Sequence, residues 1–236
     1  MIFFSSRRRH TRYSAKLTEL ERAGVNRISI NPQSLIDNTL KRIGRGHRAS
    51  DIYRAFNLVK NTGIKIINSD IIAGLSGENF EDFKETVDGI IELNPANITV
   101  HTLSVKKGSI LKEIAPKTHR LGKNLVAEML GYSNGALRKA GYLPYYIYKQ
   151  KQQIGGFENV GWCKPGMHSL YNVRVIEENQ SIIALGAGAI GKRYFPYGNE
   201  NGLNITRIPN VSNYMTYIDR FEQILDKKNA YFDQEE

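Results

Sequence analysis

The feature that most constrains the fold is an alternation of amphipathic helical segments with short strands rich in isoleucine and valine. The strand patterns lie at residues 27–30, 64–72 and 97–103. The helix patterns lie at residues 17–23, from Ser34 onward, at 51–61, and from Asn79 to about Asn94. Successive strands joined by helices pair in parallel, because a parallel connection needs a long crossover. We therefore predict an α/β fold.

The pattern changes after Pro116, which predicts a domain boundary near residue 115. With a separate leader at the start of the chain, this boundary divides the sequence into three segments: 1–12, 13–115 and 116–236. In the last of them we predict a long helix at about 121–139, an aromatic strand at 141–148 and a loop at Gly155-Gly156. Further strands are predicted at 171–176 and 181–185, with a closing helix at 211–228.

The first segment is a basic leader. Residues 5–12, SSRRRHTR, resemble one reading frame of a sequencing-adapter oligonucleotide, so we predict a non-native leader at 1–12 and a protein that extends further upstream. Removing its four arginines lowers the formal charge from +10 (33 − 23) to +6 (29 − 23), and the remaining excess is dispersed. The alternative is a native basic arm for nucleic acid or a membrane surface. We expect neither partner.

The cysteine count and the apolar runs limit the class of protein. The one cysteine, Cys163, excludes an internal disulfide, and it excludes a metal cluster built from this chain's thiols alone. We expect it to be a small buried core residue. No apolar run approaches membrane-spanning length, and the order of the first residues is the reverse of a secretory signal, so we expect a cytoplasmic protein.

Polar side chains at strand ends mark a candidate site. Gln33 follows the first strand after a proline, and period-two alternation places Asn68 and Asp70 on one face of the second. Arg45 lies between two glycines and has the planar fork that binds carboxylates. The sequence leaves two alternatives equally open, a ligand site at Arg45 and Asp70 or a structural ion pair between them.

Several motifs carry a family resemblance. NRISINPQ at 26–33, LKRIGR at 40–45 and DIIAGL at 70–75 resemble, in order and spacing, the oxygen-independent coproporphyrinogen III oxidase family. The segments TVHTL at 99–103, GYLPYYIYKQ at 141–150, ENVG at 158–161 and LGAGA at 185–189 are similar to its coproporphyrinogen dehydrogenase branch. The resemblance covers nearly everything after the leader, and a match of this many motifs is far more specific than one short pattern.

The resemblance implies a radical S-adenosylmethionine (SAM) oxidoreductase of haem biosynthesis. Residues 13–115 would be the C-terminal half of a partial (β/α)6 barrel, and residues 116–236 a smaller α+β domain. A 4Fe-4S cluster reduces SAM to a 5′-deoxyadenosyl radical, which abstracts hydrogen from a propionate of coproporphyrinogen III. Loss of carbon dioxide and one electron then leaves a vinyl group, and two such reactions yield protoporphyrinogen IX. An electron-donor protein is the implied partner, and we expect a monomer.

Cofactor residues carry over only in part. Gln33, Arg45 and Asp70 match family positions that hold SAM, and their side chains suit ribose hydroxyls and the methionine carboxylate. The family's CxxxCxxC loop is absent from this sequence. We therefore expect a C-terminal fragment that lacks strands and cluster ligands, holds no catalytic or metal-binding residue of its own, and is inactive alone.

Three residues are candidates for substrate contacts. Tyr145 could stack on a tetrapyrrole, while Lys149 and Lys192 could meet its propionates. The alternative for Lys192 and its neighbour Arg193 is a solvated surface position, which is the commoner role of such charges. The GAGAIG run at 186–191 satisfies a dinucleotide fingerprint, but no helix is predicted to open at its glycines. We interpret it as a tight loop.

Two other functions remain open from the sequence. Some relatives of this fold act as haem chaperones, which would need an axial ligand or an exposed haem site. Nucleic-acid binding depends on charge alone and weakens once the leader is removed.

Overall fold

The computed structural model describes residues 10–104, 118–150 and 153–232. The side chains of residues 10–14, 118–121 and 154 are not described. The leader lies outside the described residues except for 10–12, which belong to the first helix. The chain divides into two compact units, Met1–Ser169 and Leu170–Glu236.

The first unit contains five helices and five strands among its described residues. The helices are α1 (His10–Arg22), α2 (Asp37–Arg42), α3 (Ala49–Lys60), α4 (Phe80–Leu93) and α5 (Thr118–Lys139). The strands are β1 (Arg27–Ser29), β2 (Ile66–Ala73), β3 (Asn97–Thr102), β4 (Leu143–Tyr148) and β5 (Asn159–Cys163), and a short 3-10 turn spans Ile154–Gly156.

These strands form one sheet in the order β1-β2-β3-β5-β4. The first three are parallel, and β5 runs antiparallel to both of its neighbours. The predicted α/β architecture, with parallel strands and crossover helices, is confirmed. Because β4 and β5 complete the same sheet, the first compact unit continues to Ser169, well past the boundary predicted near residue 115.

Local sequence explains the best-defined helix of this unit. Asn79 caps α4 by accepting a hydrogen bond from the Asp82 amide at 2.9 Å, and the Asp82 carboxylate accepts one from the Asn79 amide at 3.1 Å. The helix ends at Asn94, which adopts the left-handed conformation (φ 60°) directly before Pro95. Both ends match the sequence prediction within one residue.

A hydrophobic core fills the space between the sheet and its helices. In β2 every second residue is buried, so Ile67 and Ile71 face the helices. Phe56 of α3 and Phe83 of α4 pack into the same core, and Trp162 of β5 belongs to it as well. This burial fixes the register of each strand, because a shift of one residue would turn its apolar side chains to the opposite face.

The second unit contains three helices and one hairpin among its described residues. The helices are α6 (Leu170–Glu177), α7 (Tyr214–Asp219) and α8 (Phe221–Phe232), and the hairpin joins β6 (Ile190–Tyr194) to β7 (Ile205–Pro209). The predicted tight loop is confirmed at 186–189, where Gly186 and Gly188 have positive φ, while residues 190 and 191 belong to β6.

Several predicted elements are wrong in this half of the chain. Residues 171–176 form the helix α6 and not a strand, and residues 181–185 make only an isolated bridge, between Ile182 and Lys192. The predicted closing helix is two helices that meet at Arg220. β5, β6 and β7 were not predicted. β-branched residues favour a strand only where a partner strand is available, which a local pattern does not reveal.

Candidate functional site

One face of the five-stranded sheet is polar. The side of β2 that points away from the helices carries Asn68 and Asp70. The parallel register sets Asn68 beside Asn97 and Asp70 beside Thr99, and His101 follows on β3 two residues further along. These five side chains share one face of the sheet, which we call the polar face.

Gln33 is held next to this face by its backbone. Its amide donates to the Asp70 carbonyl at 3.0 Å, and its carbonyl accepts from the Ile72 amide at 3.0 Å, so the chain after β1 continues to pair with β2. Gln33 is buried and has a φ of 71°, in the left-handed region that non-glycine residues rarely occupy. Such strain is concentrated at functional sites. The structure thus brings the backbones of Gln33 and Asp70 together, while the Gln33 side-chain amide donates to the Asn31 carbonyl at 3.3 Å.

Arg45 lies in the turn between α2 and α3. Gly44 has a φ of 73°, which ends α2, and the Arg45 amide then donates to the Leu40 carbonyl at 2.8 Å. The half-buried Arg45 forms no ion pair with Asp70 within 4.0 Å among the described residues. The structural pairing that the sequence left open is therefore not formed. Burial, and then the charge of Arg45, lower the pKa of the neighbouring His47.

The side chains of Asp70, His101 and Tyr148 lie next to one another on the polar face. The Tyr148 hydroxyl lies 3.0 Å from His101 Nδ1, and His101 Nε2 lies 3.7 Å from Asp70 Oδ2. The latter distance is longer than a hydrogen bond. No hydrogen-bond donor reaches the Asp70 carboxylate from the rest of the described chain, although only 23% of this side chain is exposed. A carboxylate so placed can accept hydrogen bonds from a ligand.

Tyr146 reaches the polar face across β5. Its hydroxyl lies 2.9 Å from the Thr99 hydroxyl, although β5 separates the two strands that carry these residues. Gly161 makes this possible, because a Cβ atom there would lie 1.9 Å from the Tyr146 ring. Burial raises the pKa of Tyr146, so its hydroxyl stays protonated at neutral pH.

The predicted substrate residues of the first unit lie at β4. Tyr145 is half-buried and meets the Tyr146 ring edge-on, with 4.6 Å between ring centroids. Lys149 is exposed and follows the last residue of β4. Tyr145 belongs to the strand that also carries Tyr148, so β4 supplies an aromatic wall with the cation of Lys149 directly after its end.

Lys192 belongs to the second unit and already has partners. Its ammonium donates to the Glu178 carboxylate and to the Val175 carbonyl. Glu178 also binds Arg207, and the hydrogen bond from Lys192 is the main reason that the pKa of Glu178 is lowered. A propionate would have to compete with Glu178 for Lys192. The expectation of a solvated Arg193 is wrong, because Arg193 is buried and donates to the Tyr231 carbonyl.

The amino-terminal end of the sheet carries a different cluster, centred on Arg27. Its guanidinium donates to Asn68 Oδ1 at 2.8 Å and to Asn97 Oδ1 at 2.5 Å. It also donates to the carbonyls of Met167 and His168, both at 3.1 Å. Burial lowers the pKa of Arg27, yet guanidinium stays charged in proteins. Arg27 therefore ties β1, β2 and β3 to the loop after β5.

A buried carboxyl group braces the loop that follows Gln33. Glu78 Oε1 accepts a hydrogen bond from Ser34 Oγ at 2.6 Å, and the Leu35 amide donates to Thr86 Oγ1 at 3.0 Å. Burial raises the pKa of Glu78 to about 7. This contact fixes the start of the segment between β1 and α2, directly after a predicted ligand residue.

The chain's residues fit the two family cofactors differently. Asp70 offers a carboxylate that receives no hydrogen bond from the described residues, beside the strained and buried Gln33, and these groups suit the hydroxyls of an adenosyl ligand. No group of three or more His, Cys, Asp or Glu side chains that could hold a metal lies within 10–104, 118–150 and 153–232. Cys163, the one cysteine of the sequence, is buried as predicted. These residues do not fit an iron-sulfur cluster.

Comparison with known proteins gives the family. The family model described as "Radical SAM superfamily" matches residues 2–90, which include β1, β2 and all three predicted SAM residues. The chain therefore carries a radical SAM domain at residues 2–90. The predicted recognition is thereby confirmed, and the family as a whole uses SAM with a 4Fe-4S cluster.

Two curated relatives differ in their described roles. The chain is 37% identical, over 93% of its own length and 43% of the relative's, to the oxygen-independent coproporphyrinogen-III oxidase-like protein HemZ of Bacillus subtilis. It is 28% identical to the heme chaperone HemW of Haemophilus influenzae, over 88% of this chain and 49% of that one. The radical SAM chain spans about half the length of the curated relatives it matches.

A solved structure supports the fold. Coproporphyrinogen III oxidase (HemN) from Escherichia coli, a radical SAM enzyme, aligns with a TM-score of 0.60 and 17% identity. The alignment covers 89% of this chain and 46% of that one. No helix within the described part of the radical SAM chain is long and apolar enough to cross a membrane.

Sequence reasoning missed three parts of this arrangement: the roles of Arg27, Glu78 and the His101–Tyr148 pair. One signal was available, since period two sets His101 on the same face of β3 as Asn97 and Thr99. The pairing of Tyr148 with His101 had no such signal, because it depends on the unpredicted strand β5.

Proposed function

We propose that this radical SAM chain binds SAM at the carboxyl-terminal ends of β1 and β2 and serves the oxidative decarboxylation of coproporphyrinogen III propionates. The observation that carries the proposal is the Asp70 carboxylate, which lies on the polar face with no hydrogen-bond donor among the described residues. Burying a carboxylate to this extent costs folding free energy unless a ligand or water supplies hydrogen-bond donors.

Each predicted residue has a distinct task in this proposal. Asp70 and Gln33 bind the ribose hydroxyls, since a carboxylate accepts and an amide both accepts and donates. Arg45 binds the methionine carboxylate through its fork of N–H donors. The backbone pairing of Gln33 with β2 and the tight turn at Gly44 orient these groups before the ligand arrives.

The tetrapyrrole would lie against β4. Tyr145 supplies an aromatic surface and Lys149 a cation for a propionate. Bound SAM supplies the hydrogen-abstracting chemistry of the family. Each propionate then loses one hydrogen atom, one electron and carbon dioxide as it becomes a vinyl group.

Ligand binding tests the cofactor part. We expect S-adenosyl-L-homocysteine to bind the wild-type chain in a calorimetric titration, and Arg45→Met to weaken binding by about ten-fold, as for loss of a charge-assisted hydrogen bond. Arg54→Met is the matched control, since Arg54 lies on the exposed side of α3 beside Asp51. Absence of binding at millimolar ligand would refute the proposal.

A second titration tests the tetrapyrrole part. Trp162 is the one tryptophan of the sequence and is buried in β5, so quenching of its fluorescence reports a porphyrin bound to this sheet. We expect coproporphyrin III to quench Trp162, and Lys149→Met to weaken binding by a few-fold. Equal binding of a porphyrin without propionates would count against recognition of these carboxylates.

Haem transport is the second candidate, favoured by the similarity to heme chaperones. A haem carrier of this sequence would need an axial ligand. On the polar face His101 already has Tyr148 at Nδ1 and Asp70 near Nε2. A histidine-ligated haem spectrum that is lost in His101→Phe would favour the chaperone, whereas its absence favours the enzyme.

A further inference from the structure

The relation between Asp70 and His101 points to a ligand group that fits between them. His101 Nε2 and Asp70 Oδ2 are 3.7 Å apart, which is too far for a direct hydrogen bond. One oxygen atom at about 2.8 Å from each of them would bridge this gap with ordinary hydrogen-bond lengths. About a quarter of each side chain is exposed, 24% for His101 and 23% for Asp70, so a ligand can reach both.

The hydrogen-bond partners of His101 indicate which of its nitrogens carries the proton. The Tyr148 hydroxyl lies at Nδ1, and the Asp70 carboxylate lies near Nε2. Burial raises the pKa of Tyr148. The Tyr148 hydroxyl therefore keeps its proton.

A phenol can donate to an imidazole nitrogen or accept from it, and the carboxylate near Nε2 favours the arrangement in which Nε2 carries the proton and Nδ1 accepts. With Tyr148 donating to Nδ1 at 3.0 Å, neutral His101 carries its proton on Nε2, the nitrogen that points toward Asp70. A donor and an acceptor then face each other across the gap. A hydroxyl group matches this pair, because it donates to the carboxylate and accepts from the imidazole.

We infer that His101 is a ligand-binding residue that, with Asp70, clamps one ribose hydroxyl of the adenosyl group, and that Tyr148 is the positioning residue that holds its tautomer. This inference rests on the proposed function, and it adds two residues that the sequence did not assign to the SAM site. Gln33, on the opposite side of Asp70 in the sheet, remains available for the second hydroxyl.

The test compares two ligands against a set of variants. The ligands are S-adenosyl-L-homocysteine and its analogue without the 2′- and 3′-hydroxyls of ribose. We expect His101→Phe to weaken the first by about five-fold, as for one hydrogen bond, and to leave affinity for the analogue unchanged. His101→Gln keeps a donor and should bind within about two-fold of wild type. His168→Phe is the matched control, at an exposed histidine.

The outcomes separate this inference from the proposed function. An equal loss for both ligands, or no loss for either, overturns the hydroxyl clamp while leaving SAM binding intact. A wild-type chain that binds neither ligand overturns the proposed function, and the clamp with it.

A second measurement determines the tautomer of His101 directly in the wild-type chain. Nitrogen-15 NMR of the wild-type chain should show His101 protonated at Nε2 and not at Nδ1. Tyr148→Phe should shift the population toward the other tautomer, since the donor to Nδ1 is gone. A wild-type His101 protonated at Nδ1 overturns the assignment of Tyr148.

Discussion

The two ends of the polar face differ in how far their polar groups are satisfied. At the amino-terminal end, Arg27 donates four hydrogen bonds, to two asparagine side chains and to two backbone carbonyls. Toward the carboxyl-terminal end, Asp70 receives no hydrogen bond within the described residues, and His101 stops 3.7 Å from it. Both clusters lie on the same sheet and share strands β2 and β3.

This difference indicates which end of the polar face stabilises the fold and which end is available to a ligand. A satisfied, buried network is rigid and costly to break. A cluster with unmet hydrogen-bonding capacity is less stabilising, but it can bind something else. Parallel α/β barrels divide their two ends in the same way, with stability at the amino-terminal end of the strands and chemistry at the other.

The largest expected effect comes from breaking the satisfied end. Arg27→Ala should lower the free energy of unfolding by about 3 kcal/mol, because it removes four hydrogen bonds and leaves buried Asn97 with an unmet acceptor. Urea denaturation measures this. Arg54→Ala, which removes an exposed ion pair in α3, should cost under about 1 kcal/mol. Equal losses for the two variants would remove the contrast between a buried network and surface charge.

A pH dependence of nearly the same size should arise from Glu78, next to the ligand end. Burial raises its pKa from 4.5 to about 7, so the folded state binds more protons than the unfolded state between these values. Stability should therefore be greatest below pH 4.5 and fall by roughly 3 kcal/mol as pH rises to about 7. Asp82 adds to the shift, while Ser34, Thr39 and Arg42 oppose it.

Glu78→Gln isolates this contribution, because an amide keeps the shape and does not titrate. Unfolding measured at about pH 5 and about pH 8 should show a smaller pH-dependent loss in the variant than in the wild type. The same decline in both proteins would assign the pH dependence to other groups. Glu81→Gln, at an exposed residue of α4, is the matched control.

A smaller effect is expected between the two ends, where the Tyr146 hydroxyl contacts Thr99. Gly161→Ala should cost about 2 kcal/mol, because the new Cβ would meet the Tyr146 ring and displace it from Thr99. Gly135→Ala in α5 is the control, since nothing lies within 4 Å of its Cβ position and alanine favours a helix. A tolerated Gly161→Ala would mean that Tyr146 moves without cost.

The smallest effect on stability is expected at the open end. Asp70→Asn removes a charge that receives no hydrogen bond among the described residues, so the free energy of unfolding should change by no more than about 0.5 kcal/mol. Affinity for S-adenosyl-L-homocysteine should fall by about ten-fold, since the acceptor for ribose is weakened. A stability loss as large as that of Arg27→Ala would make Asp70 structural and erase the distinction between the ends.

Elements formed by contacts between residues close in sequence could be predicted, and elements that depend on contacts between distant residues could not. α4 was predicted almost to the residue, because its cap residues Asn79 and Asn94 are encoded within the segment itself. β5 was missed, since Asn159, Gly161 and Cys163 face the polar side and make its pattern weak. The composition of residues 171–176 favours a strand, yet they form the helix α6, because strand propensity depends on a partner strand that a local pattern does not reveal.

The candidate site shows the same limit. Gln33 and Asp70 were singled out from strand-end position and alternation, and the structure brings them together through backbone hydrogen bonds. The contact between His101 and Tyr148 could not be predicted, because it joins residues 47 positions apart across a strand of opposite direction.

The sequence by itself determined the α/β class, the parallel strands, the capped helices and the residue types that match the SAM motifs, because periodicity, capping and motif spacing are local properties of the chain. Tertiary structure decided the rest. It set Arg27 among four acceptors, left Asp70 without a donor among the described residues, and placed His101 Nε2 3.7 Å from the Asp70 carboxylate. Hydrogen-bond satisfaction depends on which strands become neighbours, and that is settled only when the whole sheet assembles.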